Sequence, residues 1–545
     1  MAAANGGPET LIFWGAGATR TLGIRTTADQ GRSIQHLADT SDHSTSLENR
    51  VEAALSNRPR WRSAFVDLLT ILGDSSESYS SISNVSDDEV AAMRQNWREG
   101  ADERELRKRV VDLRLIYDWP ALKSAIRVCP GATTEQFLLN DLFNLLDMHI
   151  PVGSGFRGPG AEPEPQFFDT RRLIGAKNAL MMILSALLYI DYRQLAEGSI
   201  DALEKYREFA RVLGRRMQRQ GRHLASEHLL HDAAFYLGDV GFVSLNYDPV
   251  GLWVQFSASR ELNQSNSVPH IGCPSVPLHV FQDFGHLIPS RRIDKGNRHR
   301  PWYPMNEAAV QRINEAEYVG PRVRLTKFLF PHGSLCWREC PDCGKLSAYY
   351  GDLWALYAPQ LIPPPPLRAF DPNRCLEDVP ENERSHRNDG KVDARSCLHC
   401  GTMTFAHHTQ AVMQSSFKSR PPSFIEEIQR ELRATAMRAN HIIFMGYSLP
   451  PDDVTYRAFF AARSQRGEAK VRCTVVNKDS NFAGWCSGEE AKKNNLKEGA
   501  NPMNAACDIF GRDNVRFYGG GVPEVFLEGA RVTEASVERL LNWSA

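Results

Sequence analysis

Thr10-Leu-Ile-Phe-Trp14 is a run of apolar residues that stops at Gly15-Ala-Gly17-Ala-Thr19, followed by Gly23. A short apolar run bounded by a glycine-rich turn is the pattern of a buried strand. The turn has the chemistry of a diphosphate cradle, because missing side chains admit the backbone to phosphates and a following helix start offers free N–H groups. A purely structural glycine turn is the competing reading, and the spacing lacks the GxGxxG form of an ordinary dehydrogenase.

Working outward, strand signals recur at Gly241-Phe-Val-Ser-Leu245, Arg322 to Phe330, His441 to Met445 and Val471 to Val476. Their ends carry Asn246 and Asp248, then His332, Ser448 and Asn477. In open α/β sheets ligands bind at such carboxyl ends. Helical periodicity appears at Leu47 to Leu72, Glu135 to Ile150, Arg171 to Tyr192 and Ile200 to Leu213, while Ser75 to Ser86 and Gly153 to Pro165 read as exposed connections or partly disordered stretches. The predicted fold class is α/β, a mostly parallel doubly wound sheet with a large helical insertion.

The chain has 545 residues, with 64 Lys+Arg against 65 Asp+Glu, so it lacks the global basic charge of a protein bound mainly through phosphates. The stretch Arg291 to Tyr303 mixes basic and aromatic residues; nucleic-acid contact there is a minor reading beside a solvated loop. Arg94 to Arg114 reads as a solvated helix face. The longest weakly polar run, Ala179 to Ile190, falls short of the roughly 20 residues of a membrane span and reads as a buried helix. No signal-peptide pattern opens the chain, which leads to the expectation of a cytoplasmic protein without membrane partners.

Asn246 offers a donor and an acceptor suited to orienting a ribose hydroxyl or a water, and His332 can take a proton near neutral pH. Each also has a structural reading, as a loop cap or a turn histidine. Of eleven cysteines, Cys340, Cys343, Cys397 and Cys400 form two CxxC knuckles, each followed by glycine. Four thiolates suit tetrahedral zinc in a closed, structural site, with Cys336, His399, His407 and His408 as alternative ligands and unligated thiols as the bland reading.

The order of these motifs resembles the sirtuin family: Gly15-Ala-Gly17-Ala-Thr19 with Gly23-Ile24, Asn246-Tyr-Asp248, His332-Gly333, two CxxC pairs, Gly446-Tyr-Ser448-Leu449 and Val475-Val-Asn477. The resemblance implies a Rossmann-like NAD site with an inserted zinc-ribbon module. It makes Asn246 and His332 the catalytic candidates. Gly15, Ala16, Gly17, Thr19, Gly23, Asp248, Gly446, Ser448 and Asn477 become the cofactor-binding candidates. The implied division is 1–30 for the first strand and glycine turn, 31–240 for the helical insertion, 241–335 for the core with Asn and His, 336–405 for the zinc module, and 406–545 for the second half of the core.

The chain departs from the protein-deacylase pattern. Gly23-Ile24-Arg25-Thr26-Thr27-Ala28 stands where deacylases carry Gly-Ile-Pro-Asp-Phe-Arg, Leu245 replaces the Gln before the catalytic Asn, and no Phe-Gly-Glu segment follows the second knuckle. With its helical insertion and Gly446-Tyr-Ser-Leu-Pro-Pro-Asp-Asp453, it looks like the sirtuin-like NAD hydrolases of prokaryotic antiviral systems, which deplete NAD. That implies regulation by homo-oligomerisation or a partner protein. The alternatives are an NAD-dependent protein deacylase and a non-catalytic NAD or ADP-ribose binding module.

Overall fold

The computed structural model describes residues 9–39, 118–134, 136–158, 166–198, 200–226, 240–265, 278–279, 324–325, 328–339, 346–348, 408–413, 415, 421, 423–451, 453–465, 470–479, 482–493 and 502–543. The expected helix at Leu47 to Leu72, the Ser75 to Ser86 connection, Arg94 to Arg114, Arg291 to Tyr303 and all four CxxC cysteines lie outside these residues.

The protein is an α/β structure built on a mostly parallel sheet of seven strands. In chain order they are β1 (Thr10–Trp14), β2 (Val240–Ser244), β3 (Phe328–Leu329), β4 (His441–Met445), β5 (Arg472–Val476), β6 (Trp485–Ser487) and β7 (Val515–Tyr518). Across the sheet the order is β6-β7-β5-β4-β1-β2-β3, and every pairing is parallel except β6 against β7. Chain direction through the sheet reverses at β1, with β2 on one side and β4 on the other. Trp14 stands opposite Ser244 and Met445, so the turns after β1, β2 and β4 emerge side by side. A crevice at such a reversal is where doubly wound sheets place ligands.

Alternation along β1 sends neighbouring side chains to opposite faces. Phe13 meets Phe444 and Phe460 with ring centroids 5.3 and 5.2 Å apart, whereas Trp14 meets Tyr206 at 5.9 Å. Both faces are therefore covered, one by the Val454–Gln465 helix and the other by the Ile200–Ser226 helix. Every residue of β1, β2 and β4 is buried, which is why these strands read as unbroken apolar runs.

Three of the helices expected between 31 and 240 are present, each running further at its C-terminal end, with the first starting at Leu139 rather than Glu135: Leu139–Val152, Thr170–Gly198 and Ile200–Ser226. The 179–190 run lies inside Thr170–Gly198, where Leu180, Ile183, Leu184 and Leu187 are buried. No helix among the described residues is long and apolar enough to cross a membrane. Two expectations are corrected. Gly153 to Pro165 is not wholly a connection, because Phe156–Gly158 pairs antiparallel with Gln166–Phe168 and Phe156 stacks on Phe168 at 5.6 Å. Among the described residues of Arg322 to Phe330, Phe328–Leu329 joins the main sheet, while Arg324–Leu325 pairs with Leu278–His279.

Candidate functional site

The turns after β1 and β4 lock together through their backbones. Gly15 donates its N–H to the Met445 carbonyl at 2.9 Å, and Gly17 donates to the Gly446 carbonyl at 2.9 Å. A methyl group on Gly446 would lie 2.0 Å from the Ala18 nitrogen, at a φ of +62°, and one on Gly15 would lie 2.5 Å from the Gly446 carbonyl oxygen. The approach of turn to turn therefore demands these glycines, independently of any ligand.

A cavity of about 120 Å³ opens beside this joint. Gly15 and Ala16 line it from β1, Asn246 and Asp248 from β2, and Gly446 and Ser448 from β4. Residues more than 400 positions apart in the chain thus face one space. Its volume is below the several hundred cubic ångströms usual for a drug-sized ligand.

Asn246 and Asp248 are buried and share Thr19, itself buried behind the cavity wall. The Asn246 amide donates to Thr19 Oγ1 at 3.4 Å, and that hydroxyl donates to Asp248 Oδ2 at 3.3 Å. The other oxygen, Oδ1, accepts the Val250 N–H at 3.0 Å, so Asp248 also satisfies the first N–H of the Val250–Ser265 helix. Burial pushes the Asp248 carboxyl up to about 6, with the Val250 N–H, the Asn246 amide and the Thr19 hydroxyl pulling the other way. A carboxyl that changes charge near neutral pH inside a cavity is the kind of group functional sites contain.

His332 does not line this cavity. It is fully buried, with Nδ1 3.1 Å from the Leu245 carbonyl and Nε2 3.0 Å from the Tyr456 hydroxyl. The residues after it clamp the same loop from behind, since Ser334 Oγ and the Leu335 N–H both donate to the Tyr247 carbonyl, at 3.1 and 3.3 Å. In this arrangement the His332 turn supports the backbone that presents Asn246.

Of the other candidates, Gly17, Thr19, Gly23 and Asn477 also stand off the cavity wall. Gly23 caps the Arg20–Leu22 turn in a left-handed conformation, and the Asn477 N–H donates to the Tyr518 carbonyl at 3.1 Å at the end of β5. Several lining residues were not read as site residues from the sequence: Arg25, Gln30, Leu188, Tyr447 and Asp453. Asp453 ends the Gly446 to Asp453 segment and accepts the Tyr447 hydroxyl at 2.6 Å. Arg25 pairs with Asp191 at 3.1 Å. Among the described residues the wall thus carries two carboxylates, one cation, the Asn246 amide and backbone of two glycine turns, a set able to hold a polar ligand and to orient a water.

Compared with known proteins, the chain matches no family model and no curated protein sequence at a significant level.

Proposed function

We propose that this chain is a sirtuin-like NAD+ hydrolase that cleaves the bond between nicotinamide and ribose to give nicotinamide and ADP-ribose. The observation that carries the reading is the meeting of Gly15, Asn246, Asp248, Gly446 and Ser448 on one cavity at the ends of β1, β2 and β4. These belong to the motif series that resembles the sirtuins, and they come from three separate parts of the chain. The central strand order β3-β2-β1-β4-β5 supports a Rossmann-like reading, in which the switch point holds dinucleotides.

The chemistry follows from the groups present. The C1′–N bond breaks with its electron pair passing to nicotinamide, which leaves neutral and needs no acid, while oxocarbenium character grows on the ribose. Water oriented by Asn246 adds to C1′ and gives up a proton, so that NAD+ and water yield nicotinamide, ADP-ribose and a proton. His332 serves as the base on a ribose hydroxyl or the water once its ring turns from Leu245 and Tyr456 toward the cavity. In the conformation described both ring nitrogens are engaged, which suits an enzyme held latent until triggered.

In this reading the protein depletes NAD as a regulated effector of antiviral defence, held in check by oligomerisation or by a partner. The cysteines at 340, 343, 397 and 400 would take zinc in a structural role. Elemental analysis should find stoichiometric zinc in the wild type and its loss in Cys340→Ser; a metal-free wild type contradicts the zinc assignment. A second reading, a binding module without turnover, is favoured by the engagement of His332 in the fold. Nicotinamide released from NAD without any acylated peptide, by the wild type or by a folded Tyr456→Phe variant, contradicts the module, because a module binds and releases nothing.

A further inference from the structure

Asp191 lies in the Thr170–Gly198 helix of the insertion, yet its carboxylate grips Arg25 twice. Oδ1 stands 3.1 Å from Nη2 of Arg25, and Oδ2 accepts the Arg25 backbone N–H at 3.0 Å. The Asp191 side chain is 1% exposed and that of Arg25 11%. Arg25 lines the cavity, and so does Leu188, one helical turn before Asp191 on the same helix face. Among the described residues lining the cavity, Arg25 is the one cation.

The next inserted helix reinforces this hold. The Tyr206 hydroxyl donates to the Ala18 carbonyl at 2.5 Å and shares a hydrogen bond of 2.8 Å with Thr21 Oγ1. The segment from the glycine turn to Arg25 is therefore fixed by side chains of both inserted helices. Two contacts from one carboxylate set the backbone and the guanidinium of Arg25 together, which a single ion pair would not do.

We propose that Arg25 is a ligand-binding residue of this cavity, recognising an anionic phosphate oxygen, and that Asp191 is its positioning residue, through which the inserted helices act on the site. The inference rests on the dinucleotide reading above. A guanidinium held at one edge keeps its planar fork aimed, and phosphate is the anion that this fork fits.

The test is equilibrium calorimetry of ADP-ribose binding to the full chain, comparing wild type, Asp191→Asn, Arg25→Gln, the double variant and Asp191→Glu. Each single loss should weaken binding about tenfold, the double variant should be no weaker than Arg25→Gln alone, and Asp191→Glu should recover part of the loss. In nicotinamide release the same variants should raise KM more than they lower kcat. Wild-type affinity in Asp191→Asn, or losses that simply multiply in the double variant, overturns the inference while leaving the dinucleotide reading in place. A wild type that binds no ADP-ribose overturns both. Should Asp191→Asn fail to fold, Arg25→Gln decides at the more exposed end of the pair, and unchanged affinity there overturns the inference.

Discussion

The hydroxyl of Tyr456 stands 3.0 Å from Nε2 of His332, and both side chains are buried. Nδ1 faces the Leu245 carbonyl, which can only accept, so the ring proton belongs on Nδ1 and Nε2 accepts from the tyrosine. Burial holds the Tyr456 phenol well above its ordinary range, which keeps it a donor. This contact ties the Val454–Gln465 helix to the loop carrying Asn246, and it occupies the nitrogen that a general base must present.

Tyr456→Phe removes that donor while keeping the ring. A hydrogen bond of this kind contributes about 1 kcal/mol net, so the variant should ease the turning of His332 and raise basal nicotinamide release from NAD by roughly fivefold. The check is release at saturating NAD, with circular dichroism to confirm folding. Unchanged or slower release in a folded Tyr456→Phe contradicts the latent role given to this contact.

Asp248 and His441 make opposite contributions to stability as pH changes. The buried Asp248 carboxyl sits at about 6 against an ordinary 3.8, so from about pH 4 to 6 the folded state keeps a proton that the unfolded chain has released, and stability falls as pH rises. His441 is pushed down to about 3 by burial, so from about pH 3 to 6.5 the unfolded chain takes up the extra proton and stability rises with pH. In Asp248→Asn only the second effect remains. Urea unfolding should show the variant gaining on wild type by about 1.4 kcal/mol per pH unit between about pH 4 and 6, then levelling off. A difference that does not change with pH refutes the placement of this carboxyl.

The two glycine turns separate crowding from backbone strain. Gly446→Ala forces a methyl group to 2.0 Å from the Ala18 nitrogen at a left-handed φ, and should cost about 3 kcal/mol or more. At Gly23, φ is +81° but nothing lies within 4 Å of an added methyl, so Gly23→Ala should cost only about 1–2 kcal/mol. Denaturant midpoints at constant slope measure both, and equal losses would show that the turn-to-turn joint is not the constraint.

The centre of the sheet was legible because β1, β2 and β4 are buried on both faces and their sequences carry no charge inside the strand ends. The β7 strand beside the far edge was not. In β7, Val-Arg-Phe-Tyr, Arg516 interrupts the apolar pattern, yet its guanidinium donates to the Leu540 carbonyl and stacks over Trp485, so the charge is absorbed by contacts formed only after folding. The site divides in the same way. Asn246 and Ser448 stand immediately past apolar strands and could be picked out as candidates. Arg25 could not, since its importance comes from Asp191, 166 positions away in the insertion. His332 was legible as a polar residue at a strand end, but its direction was not, because that depends on Tyr456 from another helix.

Incubating the full chain with NAD, with and without an acetyl-lysine peptide, and quantifying nicotinamide and ADP-ribose by chromatography is the most direct measurement. The wild type should release both products in equal amounts without peptide, and Asn246→Ala should lower the rate by at least about a hundredfold, the range of a positioned catalytic group. Release that requires the peptide, or that persists unchanged in Asn246→Ala, would contradict hydrolysis at this cavity.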